Sequence, residues 1–348
     1  METARFLFIV FIYISHCISE SDRAPFDFGG ESGVAFFFVL SGFVLSLGYG
    51  QRVADGTFST GRFMLSHVSR FYPLHLLTMA ITMALDARLG QTYSMAQIVP
   101  NVFLVHTWFA SDYYIHVANG VSWFLCDIIF FYAVFACLYR LLMRLRVGTL
   151  CFLALVLVAA YVPLALSVPD KDVYGILYVY PLLRAIDFSL GIVLCRFWRS
   201  ECSERIAERV RKMGVAGATC VELSMVAVLV AAWAVYESTC TQLRCALLFW
   251  PVMPLVVYVL ALSDGAKGCM SRLFRWPPMM WLGRISFEFY LVHLIMMRTM
   301  LHVLHLVYAE VTGMQVFVAA FFASIVVAGA ARRWFVSPIY DMVKKVCR

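Results

Sequence analysis

The chain has 348 residues, of which 62% are hydrophobic and 14% charged, with a mean hydropathy of +0.82 and a formal net charge of +7. A chain so poor in polar residues cannot cover itself with a water-soluble surface, so it reads as a polytopic membrane protein. Its basic residues are scattered over short loops between apolar stretches, which argues against nucleic-acid binding and makes anionic lipid the simple reason for the charge.

Apolar stretches recur at about 6–18, 34–49, 71–85, 123–142, 149–166, 177–197, 214–236, 244–262, 284–308 and 313–331. Each approaches the roughly 20 residues needed to cross a hydrocarbon core, which predicts an all-α domain over 1–348 with about ten transmembrane helices. The first stretch, METARFLFIVFIYISH, resembles a signal peptide only superficially, because Glu2 weakens the positive start and no clear cleavage site follows. Segment 98–110, IVPNVFLVHTWFA, is apolar but short, and counting it as a crossing inverts every later loop against the charge pattern. It is therefore expected to be re-entrant or to lie on the membrane surface. With the N-terminus inside, most Lys and Arg fall on inner loops, whereas the outer loops hold Arg23, Arg88, Lys171 and Arg244. Both termini are thus expected to face the cytoplasm. The 11 cysteines form no CxxC pair and read mostly as buried small hydrophobes, with Cys240 and Cys245 placed so that a bridge is possible.

Ionisable groups at bilayer depth are costly and mark candidate functional positions. Arg5 and His16 are eleven positions apart on the first helix, which returns them to one face about 16 Å apart along the axis. Ser286, Tyr290, His293 and Met297 follow i, i+4, i+7, i+11 spacing and place a hydroxyl, a phenol and an imidazole on one stripe. Glu288 lies off that stripe and is expected to pair with Arg284. Arg184 and Asp187 are one turn apart and can neutralise each other. Tyr72 and His75 share a face just after Arg70, with Pro73 tolerated early in the helix. Each of these sets also has a purely structural reading, as interfacial side chains or interhelical hydrogen bonds. His302 and His305 lack further ligands nearby, so no metal site is expected.

Arg5-x10-His16, GVAFFFVLSGFVLS at 33–46, SRFYPLHLL at 69–77, SWFLCDIIFFY at 122–132 and WLGRISFEFYLVH at 281–293, in this order, resemble the acyltransferase 3 family of membrane O-acyltransferases. The resemblance spans nearly the whole chain. It implies a ten-helix bundle in a bacterial inner membrane that moves an acyl group, usually acetyl, from cytoplasmic acyl-CoA to a hydroxyl of a surface or lipid-linked glycan, with no tightly bound cofactor. By resemblance, Arg5 and His16 match the family's essential arginine and histidine. A neutral imidazole suits removal of a hydroxyl proton near neutral pH.

Further roles are implied more loosely. Arg5 and Arg70 can hold donor phosphates, with His67 standing where the family's Arg-x-x-Arg has its first arginine. Asp27 or Glu31 can orient His16. Ser41-Gly42 occupies the family's FFxLSGF segment, where lost bulk admits either another helix backbone or the donor's pantetheine arm. Tyr72, His75, Trp123, Arg184, Asp187, Ser286, Tyr290 and His293 are candidates for an acceptor pocket or polar stripe, and Ser41, Ser286 or Cys17 for carrying an acyl group covalently. The chain departs from the family pattern at Ala35, His67, Asp127-Ile128 and Ser337-Pro338. The rival reading is a secondary transporter or flippase in which the buried Arg, His and Asp line a substrate or proton path.

Overall fold

The computed structural model describes residues 1–17, 29–266 and 268–346. In chain order the principal helices are α1 (Glu2–Cys17), α2 (Gly30–Ala54), α3 (Thr60–Val68), α4 (Tyr72–Arg88), α5 (Met95–Val102), α6 (Trp123–Arg144), α7 (Val147–Ser167), α8 (Pro181–Trp198), α9 (Glu201–Lys212), α10 (Gly214–Tyr236), α11 (Val252–Ala266), α12 (Pro277–Arg284), α13 (Ser286–Val307), α14 (Gly313–Ala331) and α15 (Ser337–Val346). No strand occurs among the described residues. Helix boundaries follow local chemistry. Pro73 and Pro181 sit in the first turns of α4 and α8, where a missing N–H costs nothing. Thr312 caps α14 in a reciprocal box with Gln315. Gly214, at a φ of 65°, makes the turn from the amphipathic α9 into the apolar α10.

Among the described residues, seven helices are long and apolar enough to cross a membrane: 30–54, 120–144, 147–167, 214–236, 247–265, 286–307 and 313–345. An eighth results if 170–178 and 181–198, bent by 48° at their junction, form one broken span. The expected ten are therefore not reached among the described residues. The two stretches that fall short are helical but brief, α1 with 16 residues and α4 with 17. Segment 98–110 is no span either: α5 ends at Val102, and a 3-10 turn occupies His106–Phe109. Leu104 and Ala110 have φ values of 54° and 46°. Such left-handed residues stop helical propagation and are tolerated where neighbours fix them.

The chain forms two compact units interleaved in sequence: 31–60 with 130–279, and 2–30 with 61–129 and 280–348. In the first, α2 and α8 cross at a pair of glycines. A methyl built on Gly42 would lie 2.0 Å from the Phe188 carbonyl oxygen, and one on Gly191 would lie 2.0 Å from that of Val39. Lipid tails are as apolar as leucine, so membrane helices associate by such close packing rather than by water exclusion. Phe131 stacks on Phe188 at 4.9 Å and meets Phe38 edge-on at 5.0 Å beside this crossing. The buried Glu222 of α10 accepts hydrogen bonds from the backbone N–H groups of Met270 and Ser271, at 2.8 and 3.1 Å. Cys240 and Cys245 are free thiols, so the possible bridge is not formed.

In the second unit α1 packs against α13 and α14 through aromatic side chains. Tyr13 lies 5.6 Å from Phe289 and 5.2 Å from Phe317, and its hydroxyl donates to the Phe317 carbonyl at 2.6 Å. Phe6 meets Phe289 edge-on at 5.6 Å about two turns earlier on the same face. Edge-on aromatic pairs contribute about 0.5–1.5 kcal/mol beyond simple contact, so this ladder fixes both the depth and the rotation of α1.

Candidate active site

Arg5 and His16 are carried on one unbroken helix, α1, and both side chains are half-buried. The ladder through Phe6 and Tyr13 turns His16 toward α13, where it meets His293. Nδ1 of His16 lies 2.8 Å from Nε2 of His293, and the rings are nearly parallel, 19° apart with centroids at 5.0 Å. Nδ1 of His293 is 2.6 Å from the Tyr290 carbonyl oxygen in its own helix. A carbonyl only accepts, so this nitrogen carries a proton. In a neutral ring the other nitrogen, Nε2, is then a lone pair, and the hydrogen between the two rings belongs to Nδ1 of His16. That leaves Nε2 of His16 as the basic nitrogen. His293 is 1% exposed, whereas His16 remains partly open, so His16 is the more accessible ring of the pair.

The polar stripe on α13 is a buried face of the unit. The Ser286 hydroxyl donates to the Gly283 carbonyl at 2.9 Å, and the Tyr290 hydroxyl donates to the Val121 carbonyl at 2.8 Å. Phe289 stacks against His293 at 6.2 Å and Tyr290 tilts against it at 5.8 Å. Trp123, at the start of α6, is buried beside Phe124, which meets Tyr290 edge-on at 5.4 Å. The expected Glu288–Arg284 pair is corrected: Glu288 accepts from Arg332 at 3.1 Å, and Arg284 lies 3.4 Å from Glu2. The physical reason is that α12 ends at Arg284 and α13 restarts at Ser286, so i, i+4 spacing no longer puts the two residues on one helix face.

Tyr72 and His75 hold the broken segment in place. The Tyr72 hydroxyl donates to the Val102 carbonyl at 3.0 Å, and Nε2 of His75 bonds the Asn101 carbonyl at 3.0 Å, which makes that nitrogen the protonated one. His67, on α3, donates from Nδ1 to the Phe63 carbonyl at 2.9 Å, and its ring lies 4.1 Å from that of Phe63. Burial, with the Arg70 charge adding to it, lowers the His67 pKa to about 4. It is neutral at pH 7, so of His67 and Arg70 only Arg70 carries a positive charge; Arg70 is exposed and donates to the Tyr340 hydroxyl at 2.6 Å.

The remaining candidates fall on the first unit or outside the described residues. Glu31 accepts from the Tyr236 hydroxyl at 2.7 Å. Ser41 turns its hydroxyl back to the Phe37 carbonyl at 2.7 Å within α2, so the Ser-Gly pair serves a backbone crossing at Gly42. Arg184 and Asp187 are fully buried, 3.5 Å apart, with Arg184 also donating to the Cys245 carbonyl at 3.0 Å and lying over the rings of Phe38 and Tyr178. Asp27 lies outside the described residues, as does the side chain of Cys17. Sequence reasoning missed the His16–His293 pairing and an ionic knot in which buried Asp86 accepts from Arg298 at 2.9 Å and from the Tyr93 hydroxyl at 2.6 Å. A carboxylate immediately after the apolar stretch 71–85 was the available signal for that knot.

Residues 1–333 match the sequence pattern of a family described as an acyltransferase domain. Among curated proteins, the chain is 27% identical over 287 residues to Acyltransferase MdmB of Streptomyces mycarofaciens, covering 77% of this chain and 68% of that protein. It is 43% identical over 51 residues to Protein 2 in picA locus of Rhizobium radiobacter, covering 15% of this chain and 27% of that protein. No solved structure matches it.

Proposed function

The chain belongs to the acyltransferase 3 family, whose members are membrane acyltransferases, and on that premise we propose that His16 is the general base of an O-acyl transfer. The donor in this reading is a cytoplasmic acyl-CoA carrying acetyl. The acceptor is a hydroxyl of a surface or lipid-linked glycan, and the enzyme sits in a bacterial inner membrane with both termini in the cytoplasm. The acyltransferase from Streptomyces supports the reaction class, and the charge asymmetry of the loops supports the orientation.

The observation that carries the proposal is the proton order of the two imidazoles. With Nδ1 of His293 held by the Tyr290 carbonyl, Nε2 of His16 takes the acceptor's proton as the hydroxyl oxygen attacks the thioester carbon. A C–O bond forms, the C–S bond breaks, and the same proton passes to the leaving thiolate. The imidazolium formed in between is stabilised through its Nδ1–H by the lone pair of His293, which does for His16 what a carboxylate does in other triads. Arg5, on the same helix and about 16 Å away, supplies a cation toward the donor side.

The test is transfer of labelled acetyl from acetyl-CoA by the purified protein and onto glycan in cells. Wild-type protein leaves the label covalently on the acceptor, and His16→Ala, inserted at the normal level, leaves none. Full acetylation by His16→Ala removes this base from the mechanism, and uptake of label with no covalent product favours the transporter.

A further inference from the structure

At the end of the second unit the chain does something that its helix spacing alone does not require. A π-helical turn, Arg332–Val336, separates α14 from α15. Such a turn re-aims the residues that follow it and recurs at functional sites. Tyr340 and Lys344, at i and i+4, then share one face of α15. The Arg70 guanidinium stacks over the Tyr340 ring at 4.5 Å while one of its N–H groups bonds the Tyr340 hydroxyl at 2.6 Å, and the Lys344 ammonium lies 6.0 Å from the centre of the same ring. Two cations therefore flank one phenol. Arg70 and Lys344 are both exposed, and neither forms an ion pair among the described residues. Asp341, the adjacent carboxylate, pairs with neither. The other guanidinium N–H groups of Arg70 have no hydrogen-bond partner among the described residues.

We propose that Arg70, Tyr340 and Lys344 form a phosphate-binding site. Tyr340 and Lys344 lie beyond residue 333, where the family match ends, so this part of the site belongs to the C-terminal helix of this chain. The ring fixes the plane of the guanidinium and so presets its free N–H fork for phosphate oxygens, which lowers the ordering cost of binding. The ammonium adds a second, movable donor. The phosphate can be that of a nucleotide thioester donor or of a lipid headgroup. The donor version rests on the acyl-CoA reading above, whereas the site itself does not.

The experiment uses full-length protein in neutral-lipid nanodiscs, with CoA, inorganic pyrophosphate and phosphatidylglycerol as probes and with Lys344→Gln and Tyr340→Ala as variants. Lys344→Gln removes an exposed charge that forms no ion pair among the described residues, so its melting temperature should stay at the wild-type value. Its affinity for CoA and pyrophosphate should fall about tenfold, the loss of one charged hydrogen bond, and Tyr340→Ala should weaken both by at least as much. A fall in phosphatidylglycerol retention with CoA affinity intact keeps the site and assigns it to lipid. Weakened pyrophosphate binding in a protein that turns over no acyl-CoA keeps the site and removes the donor reading. Wild-type affinity for all three probes in both variants overturns it.

Discussion

Replacing Gly42 by alanine adds one methyl where the structure leaves none of the space it needs. The new carbon would lie 2.0 Å from the Phe188 carbonyl oxygen and 3.2 Å from the Gly191 Cα, and an alanine at Gly191 meets the Val39 carbonyl oxygen at the same 2.0 Å. Non-bonded contacts of this kind settle near 3.5 Å, so α2 and α8 must part by about 1.5 Å. Overpacking of this size costs about 1–3 kcal/mol. For a chain of this length that corresponds to about 2–4 °C in melting temperature. The two substitutions answer to one gap: once the helices have parted for the first methyl, the second finds room. The double variant should therefore lose clearly less than the sum of the single losses, with a coupling of at least about 0.5 kcal/mol. Thermal unfolding in one detergent, followed by intrinsic fluorescence, reads all four proteins. Ser41→Ala, which removes only a bond within α2, should fall within about 0.5 kcal/mol of wild type. A wild-type melting temperature for either single glycine variant, or strict additivity in the double, refutes the crossing.

Three further outcomes are expected. His293→Phe keeps an aromatic ring against Phe289 but removes the acceptor that fixes the His16 tautomer; kcat should fall about 10–100-fold with KM little changed, and full activity would mean that His293 does not position His16. Because the folded chain holds His67 at about 4 against an ordinary 6.5, the unfolded chain binds the proton more readily. The stabilisation from this site is complete above about pH 6.5 and fades as the pH falls toward 4, with roughly 2 kcal/mol lost by pH 5. Melting curves at pH 7.5 and pH 5 should show that slope in wild type and a flatter one in His67→Gln, and equal slopes would count against the buried neutral ring. Arg184→Met should cost about 3–5 kcal/mol by stranding Asp187, while Arg184→Met with Asp187→Leu should recover most of it. A double variant that folds but transfers no acyl group would give the pair a functional role.

What the sequence made legible is what a single helix carries. The Arg5–His16 interval and the stripe on α13 depend on rise and rotation per residue, which local sequence dictates, and the exclusion of 98–110 as a crossing depends on its length and on the charge pattern of the loops. The span count was less legible because crossing length depends on where helices break. The bend near Val179 falls just before Pro181, and α4 stops where Gly90 takes a φ of 80°; such local breaks shorten a crossing without lowering the hydropathy around it. Glu288 shows the same limit at close range: its spacing from Arg284 was right for a pair, and a helix boundary at Ile285 undid it.

His16 illustrates why the site itself was only half readable. Carboxylates near it in sequence, Asp27 and Glu31, are the expected orienting groups, because an imidazolium is most simply stabilised by a negative charge. Among the described residues, a group that does touch it is a second imidazole 277 positions away, while Asp27 lies outside those residues. That choice has a physical logic inside a membrane, where a buried carboxylate demands a partner of its own, whereas a neutral histidine anchored to its own helix by the Tyr290 carbonyl needs none. Such an anchor also works in one direction only, since the carbonyl cannot donate. The proton order of both rings therefore follows from one backbone oxygen, and any residue placed at 293 that cannot accept from His16 should disable the base while leaving α1 folded.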